Sequence, residues 1–245
     1  MPMKRIVILN HEADPEILRN LSRYDIEPIT IGPTDRLPEP LSGHADLQVF
    51  PMGDVLYCNP DISTSFVDKI GHYCEIVLCS TQLGSEPVKT IPYCVADTGA
   101  VAFHRTKYTD TDIKCALKSA EIPLMDVPQG FARCSIMIVS RHHIITADAK
   151  VHRIAQIAGI DSLLISPGNI AIRGYRYGFI GGASGVVGGT VFLTGTIDHH
   201  PDREIILQFI EKAGQSLVIL SGIRAADIGS MFFIDVGLTS SLHSP

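Results

Sequence analysis

The segment RIVILNHEADPEILRNLSRYDIEPITI, residues 5–31, consists of an apolar run, a polar turn, an amphipathic pattern and a second apolar run. Asp14 and Pro15 predict a helix start, because a carboxylate caps free backbone amides and proline suits the first helical position. The helix then carries one apolar stripe at a spacing of about 3.6 residues: Ile17, Leu18, Leu21. The segment therefore predicts a strand–helix–strand unit.

The same order of patterns returns four times, starting at Val55, Val101, Ile144 and Val191. A spacing of roughly 45 residues is typical of arrays of supersecondary units. Each predicted helix has one apolar stripe, which should cover one face of a sheet. The stripes are Phe66, Val67, Ile70; Ile113, Ala116, Leu117, Ala120; Val151, Ile154, Ala155, Ala158; and Ile205, Ile206, Phe209, Ile210, Ala213.

A further apolar segment precedes four of the units, and a fifth lies near the end of the chain. These segments are residues 46–50, 98–103, 134–139, 181–187 and 229–234. The last has no strand–helix–strand after it, and residues 5–31 have no such segment before them. The two ends would thus complete one unit and leave no open sheet edge. The sequence predicts a single α/β domain, residues 1–245: a five-fold pseudosymmetric propeller of strand–strand–helix–strand units, closed by the chain termini.

Composition narrows the choice of partners. The chain has 245 residues and a formal net charge of -6, with no run of Lys or Arg to neutralise phosphates, so no nucleic-acid partner is predicted. No apolar stretch reaches the ~18 residues of a membrane span, and residues 178–194 are interrupted by glycine. The first residues lead directly into a strand without a signal-peptide pattern. We therefore expect a cytoplasmic protein without a membrane partner; a homo-oligomer is left open.

Neither the cysteines nor the histidines predict a metal or a cofactor. None of the six cysteines forms a CxxC pair, which argues against a zinc ribbon and for free thiols. Five of them are predicted to be small buried hydrophobic side chains: Cys58, Cys74, Cys79, Cys94, Cys115. The segment DHHPD, residues 198–202, and the pair His142 and His143 lie in predicted turns. Adjacent turn residues rarely converge on one metal ion, so we expect solvated turns.

Five such units resemble the pentein fold of the guanidino-group-modifying enzymes, namely arginine deiminases, dimethylarginine hydrolases, agmatine deiminases and amidinotransferases. GHADLQVFPMGDVLYCN, residues 43–59, is similar to the family segment in which an acid precedes a strand, a glycine–acid turn and a second strand. QGFARCSIMIV, residues 129–139, is similar to the third-unit segment. The HADLQ, CSI, GFIGG and DIGS segments also resemble those of a small bacterial branch of this fold, a domain of unknown function.

The resemblance implies that reactive groups meet at the ring centre, at the starts of the inner strands. In the family, a cysteine near the C-terminus attacks the guanidinium carbon, a histidine moves protons and carboxylates hold the cation. Asp46 matches a substrate carboxylate. Ser230 stands where the nucleophile would be, and no cysteine follows Cys134. The third-unit histidine is also absent.

A different catalytic set would follow if the ring brings Cys134, His44 and Asp46 together. Arg133 and a histidine would then lower the pKa of the thiol, and His44 would serve as the base. The alternative is a polar loop at His44 and Asp46 and a core thiol at Cys134. The substrate-binding candidates at the centre are Asp97, Arg133, Gly182, Ser184, Asp227 and Ser230.

The glycine-rich stretch GFIGGASGVVGG, residues 178–189, fits neither the dinucleotide-binding nor the P-loop pattern. Backbone amides around Gly182 and Ser184 could bind an anion. Alternatively, glycine permits close backbone approach at a crowded centre. Both interpretations stay open.

Two classes of function remain. One is a hydrolase or transferase that acts on a small guanidino, amidino or related C–N compound in a central pocket, without a cofactor. The other is a non-catalytic ring that binds a ligand or a protein, because a fold does not determine a function.

Overall fold

The computed structural model describes residues 4–236, which form five three-stranded sheets. The strands are β1 (Lys4–Asn10), β2 (Ile26–Ile31), β3 (Val49–Met52), β4 (Val55–Cys58), β5 (Glu75–Leu78), β6 (Ala96–Asp97), β7 (Ala102–His104), β8 (Leu124–Asp126), β9 (Ile136–Ser140), β10 (His143–Thr146), β11 (Asp161–Leu164), β12 (Ser184–Val187), β13 (Thr190–Leu193), β14 (Ser216–Ile219) and β15 (Phe232–Val236). The α-helices are α1 (Pro15–Ser22), α2 (Ala45–Gln48), α3 (Thr64–Ile70), α4 (Thr111–Ser119), α5 (Ala132–Ser135), α6 (Ala149–Ile157) and α7 (Arg203–Lys212).

Each sheet has the same topology. The orders are β15-β1-β2, β3-β4-β5, β6-β7-β8, β9-β10-β11 and β12-β13-β14. The middle strand pairs antiparallel with the first strand and parallel with the third. A helix connects the two parallel strands of each sheet, as a parallel pair requires a crossover connection. Five small sheets with one connectivity fit the five-unit pseudosymmetric arrangement that the repeat predicts.

The first and last described strands lie in one sheet. Strand β15 pairs antiparallel with β1, with Ile6 opposite Ile234 and Ile8 opposite Phe232. The two ends of the chain therefore complete one strand–strand–helix–strand unit. The predicted domain bounds extend to residues 1–3 and 237–245, which lie outside the described residues.

Four of the predicted inner strands, β3, β9, β12 and β15, begin later than the sequence suggested. Residues 45–48 and 132–135 form the single helical turns α2 and α5, and only then do β3 and β9 start. The reason lies in long-range hydrogen bonds: the amide of Asp46 donates to the carbonyl of Gly229, and that of Arg133 to Cys94. Residues 98–101 form the turn between β6 and β7 and do not extend a strand.

The helices bury most of their predicted faces. Asp14 caps α1 by accepting from the amide of Glu16 at 2.7 Å. Ile17 and Leu21 are buried beneath it. Three predictions of buried side chains were wrong, because the side chains point away from their helix's core face: Cys115, Ala120 and Ile205 are exposed.

The helices are short. The longest helix among the described residues, α7, has 10 residues. Among residues 4–236, no helix is long and apolar enough to span a membrane.

Replacement of Ile6 tests the pairing of β1 with β15. Ile6 is fully buried opposite Ile234, so Ile6→Ala should lower the free energy of unfolding by about 2–5 kcal/mol. Ile223, which is 53% exposed, serves as the control, and Ile223→Ala should change it by less than about 0.5 kcal/mol. Urea unfolding followed by circular dichroism measures both. Equal, small effects would contradict burial of this strand pair.

Candidate functional site

The segments that precede the inner strands are hydrogen-bonded to one another. The amide of Gly182, before β12, donates to the carbonyl of Cys134 in α5 at 2.8 Å. The amide of Ser230, before β15, donates to the carbonyl of Gly182 at 2.8 Å. The amide of Asp46 in α2 donates to the carbonyl of Gly229 at 3.1 Å. Four units therefore bring their polar residues to one place.

The Asp46 carboxylate lies at the middle of this cluster and is fully buried. Its Oδ2 accepts hydrogen bonds from the Ser230 hydroxyl at 2.6 Å and from the Cys134 thiol at 3.0 Å. Its Oδ1 is buried without a hydrogen-bond partner. Asp46, Cys134 and Ser230, all predicted from sequence, are thus in direct contact.

Cys134 is a buried thiol that donates its proton to a carboxylate. Burial raises its pKa well above the ordinary value, and the neighbouring Cys94 and Asp46 act in the same direction. This shift is opposite to the one expected from a neighbouring Arg133. The free protein therefore holds Cys134 as a thiol at neutral pH, and any nucleophilic step must include removal of its proton.

The Arg133 side chain donates hydrogen bonds to three backbone carbonyls of the site. Its guanidinium donates to the carbonyls of Gly181 at 3.1 Å, of Ile136 at 3.2 Å and of Ser184 at 3.2 Å. It also lies 5.4 Å from the ring centre of Phe232. Burial lowers the pKa of Arg133, whereas the negative charge of Asp46 opposes this shift. The cation is therefore held between segments of the chain by neutral acceptors.

His44 and Asp227 form a second buried pair. His44 Nδ1 lies 3.9 Å from Asp227 Oδ1 and has no hydrogen-bond partner. Asp227 accepts hydrogen bonds from the amide of Phe179 at 2.9 Å and from that of Gly229 at 3.1 Å. Burial raises the pKa of Asp227 to about 6, although the nearby His44 acts in the opposite direction.

These groups line one cavity of about 360 Å³, which we call the histidine cavity. Its lining residues are Leu41, His44, Phe131, Cys134, Ile172, Tyr175, Arg176, Tyr177, Gly178, Phe179 and Asp227. The reactive atoms of His44, Cys134 and Asp227 all lie within 4.8 Å of one another. A thiol, an imidazole and a carboxylate are therefore available to a single bound molecule.

Asp97 and Arg133 face a different space. They line a cavity of about 300 Å³ that is bordered by residues of the inner strands β3, β6, β9, β12 and β15. Asp97 Oδ1 accepts from the amide of Gly99 at 2.7 Å, and burial raises the pKa of Asp97. The structure therefore does not bring these two predicted substrate-binding residues to the histidine cavity.

The glycine-rich stretch allows close backbone approach. A Cβ atom on Gly182 would overlap the carboxylate of Asp227. The amide of Gly182 donates to the carbonyl of Cys134, and the amide of Ser184 donates to the carbonyl of Gly181 at 3.0 Å, so neither is free to bind an anion. Ser230 adopts a positive φ of 70°, a conformation that non-glycine residues seldom take. Crowding thus accounts for the glycines.

The predicted histidine turns are only partly solvated. His200 is buried, and its Nδ1 accepts a hydrogen bond from the amide of Asp202 at 3.0 Å. His199 is exposed. In the described chain, three groups could hold a metal ion: His44, Cys134, Asp227; Asp46, Cys94, Cys134; and Cys79, Asp110, Asp112.

Sequence reasoning missed two parts of the site. Cys94 lies in a loop 40 residues before Cys134, yet the two sulfur atoms are 3.9 Å apart. Residues 172–179, between β11 and β12, supply more than half of the cavity wall. No local pattern distinguishes Cys94 from a residue of an ordinary loop. In residues 172–179, the two tyrosines Tyr175 and Tyr177 are the one feature that could have pointed to a binding site.

Residues 8–232 match the model of a family described as a family of unknown function, DUF6873. The chain belongs to this family. No curated protein matches the chain by sequence.

Solved structures show a similar fold over almost the whole chain. The amidinotransferase SxtG from Microseira wollei is 11% identical with a TM-score of 0.59, covering 98% of this chain and 96% of that one. DDAH from Pseudomonas aeruginosa, as a cysteine-to-serine mutant complexed with citrulline, is 8% identical with a TM-score of 0.56, covering 95% and 99%. Agmatine deiminase from C. jejuni is 12% identical with a TM-score of 0.56, covering 96% and 93%. The chain therefore shares the fold of these enzymes, as the resemblance in sequence indicated.

Replacement of Gly182 tests the close approach to Asp227. Gly182→Ala should lower the free energy of unfolding by about 1–3 kcal/mol, because the new Cβ must displace a buried carboxylate. Gly222 has open space around it and no positive φ, so Gly222→Ala is the matched control and should have little effect. Thermal unfolding compares the two variants. A Gly182→Ala protein as stable as the control would show that the segments are not in contact.

The raised pKa of Asp227 makes stability depend on pH. Because the native carboxyl holds its proton up to about pH 6 and the unfolded one releases it near pH 4, the native state binds more protons in this window. The free energy of unfolding should therefore fall as the pH rises through this window. The decrease is up to about 3 kcal/mol, because a pKa shift of one unit corresponds to 1.36 kcal/mol.

Asp227→Asn removes this titration. The free energy of unfolding of the wild type minus that of the variant should decrease between about pH 4 and pH 7. The exposed Asp35 provides the control, since Asp35→Asn should leave the wild-type slope unchanged. Urea unfolding at a series of pH values gives the differences. A wild-type minus Asp227→Asn difference that is flat with pH would contradict the raised pKa.

Proposed function

We propose that this protein is a hydrolase or transferase acting on a C–N bond of a small guanidino, amidino or ureido compound bound in the histidine cavity. The observation that carries the proposal is the approach of the reactive atoms of His44, Cys134 and Asp227 to within 4.8 Å at the wall of this cavity. The fold is shared with an amidinotransferase and an agmatine deiminase, which supports the reaction class as an analogy. We further infer that residues 1–245 form a single domain whose five units surround a common axis, closed by the pairing of β15 with β1.

A planar cation fits the polar atoms around Cys134. Among residues 4–236, His44 Nδ1 and Asp46 Oδ1 are the only buried side-chain nitrogen or oxygen atoms without a hydrogen-bond partner. An amidinium or guanidinium group offers several N–H donors in one plane, and a carboxylate such as that of Asp227 in the cavity wall accepts them. Asp46 does not line the cavity but is hydrogen-bonded to Cys134, which does. Asp46 and Asp227 supply negative charge in a buried setting, where an ion pair is less screened than in water.

The rest of the cavity wall fits a small organic molecule. It is mainly apolar and aromatic, and its volume of about 360 Å³ lies within the usual range for ligand pockets. Arg176 is the one arginine or lysine among the lining residues, and it lies in an exposed segment of the wall.

The proposed reaction begins with the thiol. As Cys134 Sγ bonds to the amidino carbon, its proton moves along the existing hydrogen bond to Asp46 Oδ2. Protonated His44 gives its proton to the departing amine as the C–N bond breaks. A substituted isothiourea then remains on Cys134.

The second half of the reaction returns Cys134, His44 and Asp46 to their starting protonation states. His44, now neutral, takes a proton from the incoming water, whose oxygen bonds to the same carbon while the C–S bond breaks. The proton on Asp46 returns to the sulfur. Water as the acceptor gives hydrolysis, and an amine as the acceptor gives transfer of the amidino group, with the same proton balance.

Turnover assays with a set of guanidino, amidino and ureido compounds test the proposal through release of ammonia or amine. Cys134→Ala should lower kcat/KM by at least about 10³-fold, because the nucleophile is lost. Cys58 is also fully buried but lies outside the site, so Cys58→Ala controls for the loss of a core thiol and should retain activity. If Cys134→Ala turns over a substrate as fast as wild type, or if the wild type converts no compound of the set, the proposed function is wrong.

A further inference from the structure

Cys94 is a buried thiol that the proposed reaction does not use. It is fully buried, and its sulfur lies 3.9 Å from that of Cys134. It does not line the histidine cavity, so it does not touch a molecule bound there. Together with a carboxylate oxygen of Asp46, these two sulfur atoms lie within 4.8 Å of one another.

Two residues that each have an unpartnered polar atom lie next to Cys134. Asp46 belongs to one donor group with Cys134, and His44 belongs to another. Asp46 Oδ1 and His44 Nδ1 are both buried without a hydrogen-bond partner. Buried unpaired polar atoms are rare and call for a physical reason, such as a bound ion.

We propose that Cys94, Cys134 and Asp46 form a three-ligand binding site for a soft divalent cation, with Zn²⁺ as the fitting ion. Thiolate donors favour zinc over magnesium or calcium, which prefer oxygen ligands alone. Nothing in the cysteine spacing indicates such a site, because Cys94 and Cys134 come from different units of the chain.

The distances suit a tetrahedral ion. With Zn–S bonds of about 2.3 Å, two sulfur ligands of a tetrahedral site lie roughly 3.8 Å apart. Cys94 and Cys134 are already separated by 3.9 Å. Cys134 Sγ and Asp46 Oδ2 are 3.0 Å apart and need to separate slightly to admit the ion. Only small side-chain movements are therefore required.

Charge balance also favours the site. Without metal, the negative charge of Asp46 is offset by the positive charge of the buried Arg133 guanidinium. Zinc adds two positive charges, and the two thiols each lose a proton to become thiolates. The net charge of the buried cluster is therefore the same before and after binding, which avoids the cost of an uncompensated buried charge.

Binding and catalysis would compete for one sulfur atom. An ion on Cys134 occupies the sulfur lone pair that the proposed reaction needs. The binding itself does not depend on the proposed function, and it is measured without any substrate.

The experiment uses the full chain, reduced and stripped of metal with a chelator, and titrates it with Zn²⁺ against a chromophoric competitor. We expect one Zn²⁺ per chain by native mass spectrometry. Substitution of Co²⁺ should give a thiolate-to-cobalt charge-transfer band. Cys94→Ala should weaken Zn²⁺ binding by at least about 100-fold and remove most of that band.

The matched control is Cys79→Ala. Cys79 is also buried and belongs to the separate donor group with Asp110 and Asp112, so it controls both for loss of a core thiol and for binding elsewhere. It should bind Zn²⁺ like wild type. Asp46→Asn, with thermal unfolding to confirm folding, gives a second loss of affinity that does not depend on removing a thiol.

Absence of 1:1 binding in the wild type, or equal affinity in Cys94→Ala and wild type, would overturn the site. Each of the two proposals can be contradicted without the other. Loss of zinc affinity in Cys94→Ala supports the site even if no substrate is turned over. Turnover that depends on Cys134 supports the function even if no zinc binds.

Discussion

The Asp46 carboxylate lies in the protein interior without access to water, and this constraint organises the centre of the molecule. A buried carboxylate is stable only when it is hydrogen-bonded and its charge is offset. Ser230 and Cys134 provide the hydrogen bonds, and Arg133 provides the positive charge. Because Asp46, Cys134 and Ser230 come from three different units of the chain, these contacts fix the positions of those units relative to one another.

The same crowding produces the chemistry of the site. Gly182 leaves room for the Asp227 carboxylate, which burial keeps partly protonated near neutral pH. His44 lies next to it and keeps an unpaired nitrogen. Stability alone would favour apolar residues of similar volume at this place, since unsatisfied buried polar atoms are costly. Their presence is best explained by a bound group that completes them.

The fold was largely predictable because its signals are local. The stripe of Ile17 and Leu21 and the cap at Asp14 identify a helix within a few residues, and the repeat of such units predicts five sheets. The starts of the inner strands were not predictable, because α2 and α5 are held by hydrogen bonds from other units. The contact between His44 and Asp227 spans more than half the chain and has no local pattern, as with Cys94.

The central claim is that Cys134 lines a pocket that recognises a planar cation. The most direct measurement compares labelling of the metal-free protein by a haloacetamidine and by neutral iodoacetamide, with each cysteine quantified by peptide mass spectrometry. We expect iodoacetamide to label the exposed Cys115 first, and the haloacetamidine, which carries an amidinium group, to label Cys134 first. If both reagents label Cys115 ahead of Cys134 to the same degree, the pocket does not bind such a cation next to this thiol, and the account is wrong.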